Sequence, residues 1–138
     1  MEGPMSPEQV VREFCGAVST RDSEALRPLL APSVVYLNVG VGTSDGIEAT
    51  LANVAGQWAM FPECYEFEIV HLASSETVVL TERIDRVGLG GGAPVAPVPV
   101  MGRFEVESGQ ITRWYDYFDT ALVAKLFAAD DVHDLMPF

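Results

Sequence analysis

Between Tyr65 and Phe118 the sequence passes through four strand-like segments in succession, 65–73, 77–87, 98–106 and 111–118, with no helical pattern between any two of them. β-branched and aromatic residues recur in each, and Glu107-Ser108-Gly109-Gln110 supplies a hairpin turn between the last two. The helical signals lie before and after that run. Ser6-Pro7-Glu8-Gln9 combines an N-cap, a first-turn proline and a capping-box partner, and Val10, Val11, Phe14, Ala17 and Val18 then recur at helical spacing, which predicts a helix to about Thr20. Asp22 caps a shorter second helix carrying Leu26, Leu29 and Leu30, which ends before Pro32. A strand over 34–39 follows, then a third helix over 46–60 that holds Leu51, Val54 and Trp58 and is closed by Pro62. A terminal helix is predicted over 120–128. Helices first and a run of strands later predict an α+β architecture, a curved sheet wrapped around the helices with a cone-like pocket inside, rather than an alternating parallel α/β fold.

A chain of 138 residues fits one domain over 1–138, and no repeat or linker divides it. The Gly-rich stretch over 88–97 lacks the Lys-Ser/Thr ending and the helix of a phosphate-binding loop, so it reads as a flexible hairpin connection. With 8 Lys and Arg against 20 Asp and Glu, the formal charge of −12 repels nucleic acid and anionic lipid. The opening MEGPMSPEQ lacks the basic flank and apolar run of a secretory signal, and no stretch reaches membrane-spanning length, so a cytoplasmic protein without a membrane partner is expected. Cys15 and Cys64 share no metal-ligand spacing and read as reduced packing residues. His71 and His133 are far apart in sequence, and neither a metal nor an organic cofactor is expected.

Side chains two apart on a strand share a face. That rule sets Tyr36 beside Asn38 with Val34 further along, Arg83 beside Asp85 in line with Val79 and Thr81, and Trp114 beside Asp116 in line with Phe118. Charged groups are seldom fully buried unless paired, so Arg83, Asp85 and Asp116 either face solvent or meet one another. Spacing alone leaves both arrangements open, with Tyr36 and Trp114 as core aromatics under the first.

Four segments carry a resemblance: Tyr36-Leu37-Asn38, Leu80-Thr81-Glu82-Arg83-Ile84-Asp85, Pro99-Val100-Met101-Gly102 and Trp114-Tyr115-Asp116-Tyr117-Phe118-Asp119. In this order and at similar separations they resemble the limonene-1,2-epoxide hydrolase family, over nearly the whole chain. The resemblance implies a curved mixed sheet whose N-terminal helices enclose a deep apolar pocket, the cystatin-like or nuclear-transport-factor-2-like cone shared with SnoaL-like proteins, in a homodimer. It also implies site roles. Arg83 would bridge the two aspartates, Asp85 would be the general acid and Asp116 the general base, while Tyr36 and Asn38 position the attacking water. Trp114, Phe118, Val34 and Leu80 are expected to line the substrate pocket.

The implied reaction takes an apolar small-molecule epoxide and water to a vicinal diol. A nucleophile must reach carbon while the departing oxygen gains a proton, and two carboxylates of opposite protonation supply both functions without a cofactor. Two ionised aspartates and one guanidinium carry a net negative charge that burial disfavours, whereas one bound proton makes the trio neutral. Arg83 suits the bridge because its planar fork serves both carboxylates and it keeps its proton. Two other readings fit the same cone: an isomerase or cyclase of the ketosteroid-isomerase or polyketide-cyclase type, and a non-catalytic small-molecule binder. The former needs one base and an oxyanion stabiliser, which Asp116 and Tyr36 could imitate, and gives no reason for an Arg shared by two aspartates.

Overall fold

The structure, a computed structural model, describes residues 5–138. Residues 1–4, part of the opening read above for a secretory signal, lie outside the described residues. Helix α1 (Pro7–Ala17) starts at the expected capping box, with Ser6 accepting from Gln9 N and Gln9 reaching back to Ser6 N, and a 3-10 turn extends it to Thr20. Helix α2 (Ser23–Leu26) is a single turn capped by Asp22, followed by a 3-10 turn over Arg27–Leu29. Leu30 is not helical as expected but opens strand β1 (Leu30–Asn38), which contains Pro32. The register of β1 shifts between Leu30 and Val35, and Pro32 falls in that irregularity, where its missing N–H costs no ladder hydrogen bond.

A short strand that the sequence analysis did not anticipate, β2 (Gly42–Asp45), folds back on β1. Its residues are mostly exposed and lack apolar alternation, so no hydrophobic signal marks it. Helix α3 (Ile47–Met60), strands β3 (Cys64–Ser75), β4 (Val78–Gly88), β5 (Ala96–Glu107) and β6 (Gln110–Tyr117), and helix α4 (Thr120–Phe127) follow close to their expected bounds. Ser108 and Gly109 both take positive φ in the β5–β6 hairpin, and the Gly-rich segment joins β4 to β5 as a hairpin connection.

The six strands form one sheet in the order β2-β1-β6-β5-β4-β3, antiparallel throughout except where β1 runs parallel to β6. Register shifts in β1, β3 and at Glu105/Val106 of β5 let it curl. Val10, Val11, Phe14 and Cys15 of α1 and Leu51, Val54 and Trp58 of α3 join Val79, Phe104, Ile111 and Trp114 of the sheet in one apolar core. The Trp58 indole donates to Val18 O at 2.9 Å, and Arg21 donates to Trp58 O and Phe61 O, which ties the end of α3 to the end of α1. The result is the expected α+β cone, open at the end where α3, α4 and the strand termini meet. Among the described residues no helix is long and apolar enough to cross a membrane.

Candidate active site

Strand register builds the site. Asn38, Asp116, Gly102 and Thr81 are consecutive cross-strand partners through β1, β6, β5 and β4, and Tyr36, Trp114, Phe104 and Val79 form the parallel row two residues away. Arg83 and Asp85 follow Thr81 on the same face of β4. Arg83 is fully buried, and its guanidinium lies across Gly102 to reach Asp116. Only glycine leaves that space. A Cβ at Gly102 would overlap Arg83 Nη1 and come within 2.8 Å of Thr81 Oγ1 and 3.0 Å of Asp116 Oδ1.

Both forks of the guanidinium are filled. Nε and Nη2 donate to Asp85 Oδ1 and Oδ2 at 3.0 and 2.9 Å, while Nη1 and Nη2 donate to Asp116 Oδ1 and Oδ2 at 3.1 and 2.9 Å. The remaining Nη1 hydrogen points at Thr81 Oγ1, 3.4 Å away, so all five N–H groups have an acceptor. The Phe67 ring, 4.5 Å from the guanidinium carbon, and the Phe104 ring, 5.8 Å from it, cover the charge. The arrangement with the three groups meeting, one of the two left open by strand spacing, is the one adopted.

Burial opposes the Arg83 charge, but the two carboxylates outweigh it and hold its pKa well above the usual arginine range. Burial pushes the Asp85 carboxyl up to about 6; Arg83 opposes the rise and the nearby Asp116 charge adds to it. Asp85 thus keeps its proton to higher pH than an ordinary aspartate. Cys15, packed beneath the trio, is raised to about 12 by burial first, which leaves it an inert thiol.

Both carboxylates open onto a cavity of about 430 Å³. One wall is polar, with Tyr36, Asn38, Thr43, Asn53 and Gln57; the rest is apolar, with Phe61, Phe67, Val98, Val100, Phe118 and Phe127 prominent. Phe118 therefore lines the cavity as expected, and Tyr36 and Asn38 face it. Three of the four expected lining residues do not. Trp114 lies behind Tyr36, with ring centroids 3.6 Å apart, and is wholly covered. Val34 is buried in the core further along β1. Leu80 projects from the opposite face of β4 and is 47% exposed, since its even position is out of phase with Arg83 and Asp85. Gln57, Asn53 and Tyr65 were missed. The first two are polar residues one turn apart on α3, where only the apolar positions gave a signal, and Tyr65 read simply as a strand aromatic.

Two carboxylates that share a buried guanidinium at the base of an apolar cavity can hold one proton for a leaving oxygen while keeping a base for water. A family model described as the limonene-1,2-epoxide hydrolase catalytic domain matches residues 5–128. The chain belongs to that family. Among relatives of this epoxide hydrolase family, the epoxide hydrolase EphG of Mycobacterium tuberculosis is 33% identical over 113 residues, 79% of this chain and 70% of its own. The solved structure of an LEH-like epoxide hydrolase from M. tuberculosis superposes with a TM-score of 0.79 at 29% identity, covering 92% of this chain and 89% of that one. A protein from Catenulispora acidiphila with a ketosteroid-isomerase-like fold, solved with trimethylamine, also gives a TM-score of 0.79, covering 90% of this chain and 95% of its own. At 24% identity it shares the fold alone. Family membership supports epoxide hydrolysis as the class of reaction.

Proposed function

We propose that the protein adds water to an uncharged, apolar epoxide in one step, giving a vicinal diol with no covalent enzyme intermediate. The observation that carries this reading is the single buried guanidinium held bidentate by two carboxylates that both face the cavity. Asp116 takes a proton from a water held by Tyr36 and Asn38, the water oxygen bonds to an epoxide carbon, the carbon–oxygen bond of the ring breaks, and Asp85 gives its proton to the departing oxygen. Asp116 ends protonated and Asp85 ionised, so one proton passes from the former to the latter before the next turnover. Arg83 stays charged throughout and keeps both carboxylates in place. An isomerase would use Asp116 as base and leave the bidentate Asp85 without a role.

The cavity suits a substrate of ordinary small-molecule size, since such sites run from roughly 300 to 1,000 Å³. Its aromatic and valine walls, and a formal charge of −12 that does not attract anions, favour a neutral hydrocarbon body. The physiological partner is then an apolar epoxide. Assembly as a homodimer belongs to the same proposal: Met101 and Tyr117, cross-strand partners on β5 and β6, and Leu80 of β4 are exposed on the outer face of the sheet, and light scattering that shows a monomer at micromolar concentration rejects it.

The deciding experiment is a single turnover in oxygen-18 water with enzyme in excess over a terpene or aryl epoxide. Direct attack by water places the label in the first diol. An aspartyl ester would instead pass an unlabelled carboxylate oxygen to it. Repeated turnover labels the product by either route, so only the first turnover discriminates. No diol from a panel of terpene, aryl, steroid and fatty-chain epoxides would reject the assignment; unlabelled diol would reject only the one-step mechanism.

A further inference from the structure

Beyond the carboxylate trio, a second polar network lines the cavity and ends on Tyr36. Gln57 Nε2 donates to Tyr36 Oη at 3.0 Å and to Asn53 Oδ1 at 2.9 Å, so both its amide hydrogens are used. Its Oε1 accepts from the Tyr65 hydroxyl, and Asn53 Nδ2 donates in turn to Ser44 Oγ at 3.1 Å. Helical spacing puts Asn53 and Gln57 on one face of α3, where the Gln57 amide joins side chains of β1 and β3 and Asn53 extends the network to β2. Burial pushes both phenols above the ordinary tyrosine range, so each keeps its proton as a donor.

A hydroxyl has one hydrogen. Because Tyr36 Oη accepts from Gln57, its own hydrogen is free to donate into the cavity, and a water held by Tyr36 is held as an acceptor. Both hydrogens of that water then remain for oxygen acceptors, the Asp116 carboxylate and the Asn38 side-chain carbonyl. One lone pair is left for carbon. If the amide were reversed, Tyr36 would spend its hydrogen on Gln57 and demand a hydrogen from the water, in competition with the base.

We propose that Gln57, fixed by Tyr65 and Asn53, is a positioning residue that sets the direction of the Tyr36 hydroxyl so that Tyr36 donates to the attacking water. This rests on the hydrolase reading above and adds to it a residue that acts through Tyr36. Glutamate at position 57 reverses the hydrogen bond when ionised and restores a donor when protonated. Leucine removes it at similar volume.

The test measures kcat and KM for the wild type, Gln57→Glu, Gln57→Leu, Tyr36→Phe and the double variant Gln57→Leu/Tyr36→Phe, on whichever terpene or aryl epoxide the wild type turns over best. Gln57→Leu is expected to lower kcat by ~10-fold or more with KM nearly unchanged, as small misplacements of reacting groups do. In the Tyr36→Phe background the same change should cost less than ~2-fold, because coupled residues are not additive. Measured against the wild type at each pH, Gln57→Glu should approach equal kcat at acid pH and fall progressively below it as pH rises, a titration additional to the one that Asp85 gives the wild type. A structural role alone would lower the melting temperature, leave the pH profile unmoved and add independently to Tyr36→Phe. Wild-type kcat in Gln57→Glu across neutral pH, or equal losses from Gln57→Leu in both backgrounds, would overturn the proposal while the hydrolase reading stands. No diol from the wild type would overturn both.

Discussion

Asp116→Asn is expected to lower turnover by ~10²–10⁴-fold, the range for loss of a general base, and to leave the protein folded. The substitution keeps the side-chain shape and one oxygen for Arg83, so the end fork of the guanidinium retains a partner. What it removes is the capacity to take a proton from water. Circular dichroism and the melting temperature check the fold, and diol formation on a terpene or aryl epoxide reads the loss. Near-wild-type turnover would take Asp116 out of the mechanism.

Asp85→Asn should cost a comparable factor for the opposite reason, since the amide cannot give a proton to the opening ring. The folded protein raises the Asp85 carboxyl from its ordinary value of 3.8 to about 6, chiefly by burial. Between those values the folded chain binds a proton that the unfolded chain has lost, so the Asp85 contribution to stability falls as pH rises through that interval and its cost is fully present above about pH 6. Turnover has the same direction on the alkaline side, where the acid is deprotonated.

The trio was nearly legible as spacing. Strand parity alone puts Arg83 and Asp85 on one face and Asp116 beside Trp114 on one face of β6. What parity does not contain is pairing between strands: the alignment of Asp116 with Gly102 and of Gly102 with Thr81 brings β4 and β6 chemistry together, and that register depends on two hairpins closing correctly. Leu80 shows the reverse case, a residue that parity already assigned to the outer face and that motif proximity drew to the pocket. Leu30 and β2 were lost to local ambiguity, because an apolar residue before proline fits either a helix end or a strand start, and Gly42-Thr43-Ser44-Asp45 carries no apolar period. The Gln57 network was hidden for another reason. Its members come from α3, β1, β2 and β3, and pairing the two strand tyrosines with polar residues of α3 and β2 needs tertiary contacts that no local pattern contains.

Gly102→Ala should lower stability by about 3–5 kcal/mol, the cost of breaking a buried ion pair, and abolish most turnover. An alanine in an edge or central strand is ordinarily mild, and the backbone at Gly102 needs no left-handed conformation. The cost arises because the added methyl occupies the space of Arg83 Nη1. A flexible side chain could normally retreat, but this guanidinium is wholly buried, covered by Phe67 and Phe104, and held by five hydrogen bonds. Moving it away from Gly102 withdraws the fork from Asp116 and leaves that carboxylate buried without its cation. Thermal or denaturant unfolding measures the loss, and a double-mutant cycle with Arg83→Leu locates it. In the Arg83→Leu background the overlap with Nη1, the shortest of the contacts, is gone, so Gly102→Ala should cost much less than in the wild type. An equal cost in both backgrounds would mean that the glycine serves the strand rather than the guanidinium, and that Arg83 reaches Asp116 by a path that does not cross β5 at this position.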